Sequence, residues 1–134
     1  MEYKLLNNHI LRSFDEEEFL SFGGPWRASF SLDNIKIPGQ YLLEDDVVIH
    51  EGYCVLVQVE VLGEWRRDVR FSIVVIDVTL KRILKSKNNF SALSTLKISD
   101  GAVFFAEAFN VKEADSPKFL EINDSNFIRL SDLP

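Results

Sequence analysis

The sequence predicts a mainly β fold, a twisted antiparallel β-meander or small β-sandwich with one short N-terminal helix. Three features carry this expectation. Val69, Phe71, Ile73 and Val75 alternate with Arg70 and Ser72, which is the period of a strand. Tyr53, Val55, Val57, Val59 and Val61 share one face of a longer stretch, with Cys54, Leu56, Gln58, Glu60 and Leu62 on the other. Ser99-Asp100-Gly101 stands between two apolar runs, where glycine tolerates the positive φ of a tight hairpin.

Taken in order, residues 1–12 are ambiguous, since Leu5, Leu6, Ile10 and Leu11 suit a helix or an edge strand. Ser13-Phe14-Asp15-Glu16 has the form of a capping box, and Asp15, Glu16, Glu17 and Glu18 complement the dipole of a first helical turn. A helix over 14–22 follows, stopped by Gly23-Gly24-Pro25. In the next strand Trp26, Ala28, Phe30 and Leu32 form a packed face and Arg27, Ser29, Ser31 and Asp33 a wet one. Asn34, Ile35 and Lys36 and then Pro38-Gly39 read as turns, 40–43 as a short strand and Glu44-Asp45-Asp46 as a charged turn. After 53–62, Gly63 to Asp68 is a hairpin connection and 70–78 runs back. Ile73-Val74-Val75-Ile76 is apolar on both faces, so this strand is expected at the centre, covered twice, with the helix on one side. Residues 81–86 carry Lys and Arg, which suits an edge. Residues 93–98 and 102–109 form a hairpin, 111–117 is a polar connection, and 119–122 and 127–130 are final strands.

The chain has 134 residues, which predicts a single domain over 1–134. Hydrophobic residues make up 46% and charged ones 27%, and 11 phenylalanines supply area for packing between sheets. The net charge is −6, unevenly spread: residues 66–97 are basic and the flanking segments acidic. An acidic whole argues against nucleic-acid binding, which needs a basic surface, and suits a basic protein partner. Cys54 is the only cysteine, so no internal disulfide forms, which fits a reducing compartment. The N-terminus lacks the pattern of a secretion signal and no apolar run has the length of a membrane span. A cytoplasmic protein without membrane contact is expected.

Motifs for covalent chemistry are weak. His50 and Cys54 are four apart with Glu51 between, and His9 is the only other imidazole; a closed zinc site needs four ligands at tight spacing, so no metal and no cofactor is expected. There is no Gly-x-Ser-x-Gly elbow and no P-loop. Glu44, Asp45, Asp46, Glu107, Glu113 and Asp115 are abundant carboxylates, but a hydrolase built on them needs two in one pocket. No catalytic residue is assigned.

Residues for interaction are better represented. Trp65-Arg66-Arg67 lies on a hairpin connection, and Trp and Arg often dominate protein interfaces. Asp15, Glu16, Glu17 and Glu18, with Glu44, Asp45 and Asp46, could mimic phosphates before a basic, nucleic-acid-cleaving partner. In size, acid clusters, β-rich pattern and lack of catalytic motifs, the chain resembles the small acidic immunity proteins of bacterial toxin systems. That resemblance implies a non-enzymatic protein that neutralises a toxin domain by covering its active site. The basic stretch 66–97 departs from a simple acidic inhibitor. The alternative is a small-ligand or carbohydrate-binding β module, with Trp26, Trp65 or Tyr53 as a stacking platform.

Overall fold

The computed structural model describes residues 1–18, 26–43, 47–62, 68–109 and 111–132. Strands β1 (Glu2–Lys4), β2 (Ile10–Glu18), β3 (Trp26–Leu32), β4 (Ile35–Leu42), β5 (Val48–His50), β6 (Tyr53–Leu62), β7 (Asp68–Asp77), β8 (Arg82–Ser86) and β12 (Phe127–Asp132) form one antiparallel sheet. Its order is β1-β2-β3-β4-β6-β7-β8-β12, with β5 also paired to β6. This is the local, meander-like order that short hairpins produce. Strands β9 (Ser94–Ser99), β10 (Ala102–Ala106) and β11 (Lys118–Glu121) make a second sheet in the order β11-β10-β9. A 3-10 turn, Leu6–Asn8, links β1 to β2. Among the described residues no helix is long and apolar enough to cross a membrane.

Strands β6 and β7 pair over their whole length, from Tyr53↔Asp77 to Leu62↔Asp68. Strand alternation sends their side chains into two cores. Cys54, Leu56, Val74 and Ile76 meet Leu11, Ala28, Phe30, Leu32, Ile37 and Tyr41, so the N-terminal strands fold over one face of the central hairpin. Val55, Val57, Val59, Phe71, Ile73 and Val75 meet Leu93 and, from the second sheet, Ile98, Val103 and Phe105 on the other face. Each fully buried Val, Ile or Phe of this kind contributes roughly 1.5–3 kcal/mol by leaving water. The Phe71–Phe90 bridge ties the two layers, with N–H···O bonds of 2.8 Å in both directions.

Four sequence expectations change. Residues 14–18 belong to β2, not to a helix; residues 19–22 lie outside the described ones. The Ser13–Glu16 pair of the supposed capping box does form, but between side chains: Ser13 Oγ donates to Glu16 Oε1 at 2.6 Å. It sits in a bulge, a register shift between Phe14 and Glu17 with Asp15 at φ 52°. Pairing with β3 (Ser13↔Phe30, Phe14↔Ser29) overrides the local helix signal. The cover assigned to that helix comes instead from strands β2–β4 and the second sheet. Pro38-Gly39 is not a turn but an irregularity inside β4, since Ala28↔Tyr41 is followed by Phe30↔Ile37. The two faces of β3 are only partly as expected: Arg27 and Ser29 are buried, with Glu17 accepting from Arg27 Nε at 2.6 Å, whereas Ser31 is half-buried, Asp33 is exposed and Trp26 of the packed face is exposed. Finally, β8 is not an edge, because β7 flanks it on one side and β12 on the other.

Candidate functional site

The second sheet starts from a two-residue hairpin. Asp100 (φ 52°) and Gly101 (φ 72°) both adopt left-handed backbone, the geometry that matches strand twist in tight hairpins. The turn sets the register Ser99↔Ala102, Ile98↔Val103 and Lys97↔Phe104. The ladder then shifts: Phe105 pairs with Thr95, and Leu96 is the extra residue. Consecutive Leu96 and Lys97 therefore both reach the same groove, as a bulge allows. β11 adds Val103↔Leu120 and Phe104↔Phe119. Ile98, Val103 and Leu120 form the inner row against the second core. Lys97, Phe104 and Phe119 form the outer row.

On that outer row the Lys97 ammonium lies 5.0 Å from the Phe104 ring centroid. Phe104 and Phe119 have centroids 5.7 Å apart at 34°. Phe119 is 57% exposed, unusual for a phenylalanine with a neighbouring ring to bury against. Residues 112–115 and 117 lie beside this row. Buried Ser94 anchors this segment, donating to the Ala108 carbonyl at 2.6 Å and accepting from Val111 N–H at 3.3 Å. Between segment and sheet lies an open groove of roughly 900 Å³ lined by Leu96, Lys97, Phe104, Lys112, Glu113, Ala114, Asp115 and Pro117. Lys118, at the start of β11, is paired with Glu107.

The free edge of this sheet is blunted. Pro117 precedes β11 and has no N–H to offer, and Asn126 Nδ2 donates to the Glu121 carbonyl at 2.9 Å. The face is open, and the edge is occupied at its C-terminal end.

Of the partner-binding residues expected from the sequence, Asp15, Glu16, Glu17 and Glu18 lie among the described residues, at the end of β2. Asp15 is exposed at its bulge. Glu16 accepts from Ser13 and from the N-terminal amine, and these hydrogen bonds hold its carboxyl below the usual carboxylate range. Glu17 pairs with Arg27, and Glu18 ends β2. Two of the four acids thus have partners within the chain, while their side chains stay exposed. Glu44, Asp45, Asp46, Trp65, Arg66 and Arg67 lie outside the described residues. Trp26 is 49% exposed, while Tyr53 is half-buried against the second core.

Imidazole and thiol groups are also apart. His9 Nδ1 lies 2.5 Å from Asp33 Oδ2, and Asp33 Oδ1 accepts from Ile10 N–H at 2.8 Å. The Ile10 bond chiefly, then His9, holds the Asp33 carboxyl below its ordinary value. His50 is exposed beside Glu51, and burial pushes the Cys54 thiol up to about 12. Among the described residues no three His, Cys, Asp or Glu side chains gather where a metal ion could sit. Glu113 and Asp115, counted in sequence only as scattered carboxylates, are the ones the fold brings to the groove. Phe104, Phe119 and Lys97 were not singled out. The available signal was the Phe104-Phe105 doublet, since adjacent strand residues point to opposite faces and one ring must turn outward.

No protein-family model matches the chain, and no curated protein or solved structure does either.

Proposed function

We propose that this chain is a non-enzymatic binding protein that takes a macromolecular partner on the outer face of the β9–β10–β11 sheet. One observation carries the reading: Phe119, 57% exposed, stands beside Phe104 on a sheet face flanked by a groove. Exposed aromatic area ringed by charges is the composition of interface centres. The blunted β11 edge favours face-on docking over strand addition. The partner class is a toxin domain, the chain serving as its immunity protein. Size, acidity and β-rich pattern support that class, and a net charge of −6 would speed encounter with a basic domain.

The test is co-expression with a toxin-like product encoded directly upstream, followed by isolation of a 1:1 complex and calorimetric titration. Phe119→Ala and Phe104→Ala should each weaken the complex by tenfold or more, about 1.4 kcal/mol. A complex that keeps full affinity in both variants would place the contact elsewhere. Charge reversal of Asp15 to Glu18 should slow association, because it removes the negative charge that favours a basic partner.

A second reading, a carbohydrate-binding β module, draws support from Trp26 at 49% exposure. Quenching of tryptophan fluorescence by an oligosaccharide panel, lost in Trp26→Ala, would favour it.

A further inference from the structure

The turn that opens the second sheet has exposed Asp100 and Gly101 at its centre, both in left-handed backbone. The chain holds one Asp-Gly pair and no Asn-Gly pair. Three local facts set this pair apart. The turn closes at Ser99↔Ala102, so the Gly101 N–H stands outside the ladder, and it makes no hydrogen bond among the described residues. A Cβ placed on Gly101 would meet nothing within 4 Å, so the space beside that nitrogen is open. The Asp100 carboxyl is barely held, since Ser99 Oγ reaches Oδ2 only at 3.5 Å, the outer limit of such a bond. Other aspartates at turns are tied down. Asp33 accepts from Ile10 N–H and pairs with His9, and Asp77 accepts from Leu80 N–H and pairs with Arg82.

We propose that Asp100-Gly101 is a site of spontaneous isoaspartate formation in the folded chain. The Gly101 nitrogen attacks Cγ of the protonated Asp100 carboxyl. The N–Cγ bond forms, the Cγ–OH bond breaks, and the amide proton leaves with the hydroxyl as water. Solvent water then opens the cyclic imide. Cleavage at Cγ restores aspartate. Cleavage at the main-chain carbonyl leaves isoaspartate, with the chain now running through Cγ. The water lost in closure is regained in opening, so neither mass nor oxidation state changes. Glycine suits the step because it puts no side chain beside the attacking nitrogen. The product adds a carbon to the backbone of a two-residue turn, whose fixed geometry sets the pairing of Lys97 with Phe104. The Gly101 carbonyl also accepts from Ile122 N–H at 2.9 Å, so the exit of β11 is tied to the same turn and is disturbed with it.

The experiment ages the full chain in mildly acidic buffer at physiological temperature, folded and, in parallel, unfolded in urea. Electron-transfer fragmentation of its peptides separates aspartate from isoaspartate, and an isoaspartyl methyltransferase labels the product. In the folded chain, isoaspartate at residue 100 should exceed that at Asp115 and Asp124, each followed by serine, by about tenfold. Asp100→Glu, which would need a larger imide ring, should abolish it. Gly101→Asn keeps a residue that tolerates left-handed backbone but crowds the nitrogen, and should slow it by about tenfold. The aged chain should show shifted NMR amide signals at Ser99, Ala102 and Ile122, with those of β6 and β7 in place. Isoaspartate at residue 100 in urea but not in the folded chain would show that the turn shields the pair, and overturns the proposal. Equal amounts at 100, 115 and 124 overturn it too. Isoaspartate at residue 100 with an unmoved Ile122 signal overturns the effect assigned to it on the sheet.

Discussion

Replacing Ser94 by alanine should loosen the wall of the groove without touching its floor. Ser94 is 1% exposed and makes two bonds to the segment that forms that wall, to the Ala108 carbonyl and from the Val111 N–H. A buried polar group stripped of its partner costs about 1–3 kcal/mol. Ala108 is exposed and Val111 half-buried, so both can regain water, and the loss should lie at the low end, about 1–1.5 kcal/mol. For a chain of this length that lowers Tm by about 3–7 °C. Calorimetry measures the global part. Hydrogen exchange measures the local part, and the amides of 108–112 should exchange about five- to tenfold faster. Partner affinity should fall too, while variants of the Phe104–Phe119 floor change affinity without this exchange signature. Exchange in 107–117 as slow as in the parent would show that Ser94 does not hold the segment.

Four more outcomes follow from the same geometry. Gly39 sits at φ 104°, and a Cβ there would fall on the buried Gln58 amide, so Gly39→Ala should destabilise by about 2–4 kcal/mol in urea unfolding. Burial pushes the Cys54 thiol and, despite a donated Gln58 hydrogen bond, the Tyr41 hydroxyl each up to about 12. The unfolded chain ionises these groups first, so stability should drop as pH rises above about 9, and Cys54→Ala with Tyr41→Phe should flatten that drop. Native Cys54 should also stay inert to a thiol reagent at pH 8 until the chain unfolds. Asp33 behaves oppositely: its lowered folded-state value gives stability that is present above the ordinary carboxylate range and lost as pH falls. Asp33→Asn, which keeps a residue tolerant of the φ of 50°, should blunt this acid sensitivity in pH-jump unfolding.

Strands with one strong pattern were readable from their residues. The alternation in 53–62 and the doubly apolar Ile73-Val74-Val75-Ile76 announced the central hairpin and its two cores, because period and polarity agree there. The 13–18 segment misled because Ser13 and Glu16 satisfy a helix rule and a bulge rule equally. The choice belongs to β3, whose residues lie 8 to 17 positions away in the paired register. The supposed edge at 82–86 failed for a similar reason: its second neighbour is β12, near the end of the chain. The groove was the least legible part. Ala102-Val103-Phe104-Phe105-Ala106 is apolar throughout and names no outer face. Only the bulge at Leu96 and the arrival of β11 turn Phe104 outward beside Phe119.

The central hairpin lends one wall to each core, and this constrains the protein's history. Neither the N-terminal strands nor the C-terminal sheet could have been acquired, exchanged or discarded as a separate module, since either loss strips a row of valines and isoleucines bare. Variation should therefore accumulate in what the hairpin carries, above all the 107–117 segment, where new partners can be matched by changing a few side chains on an unchanged frame.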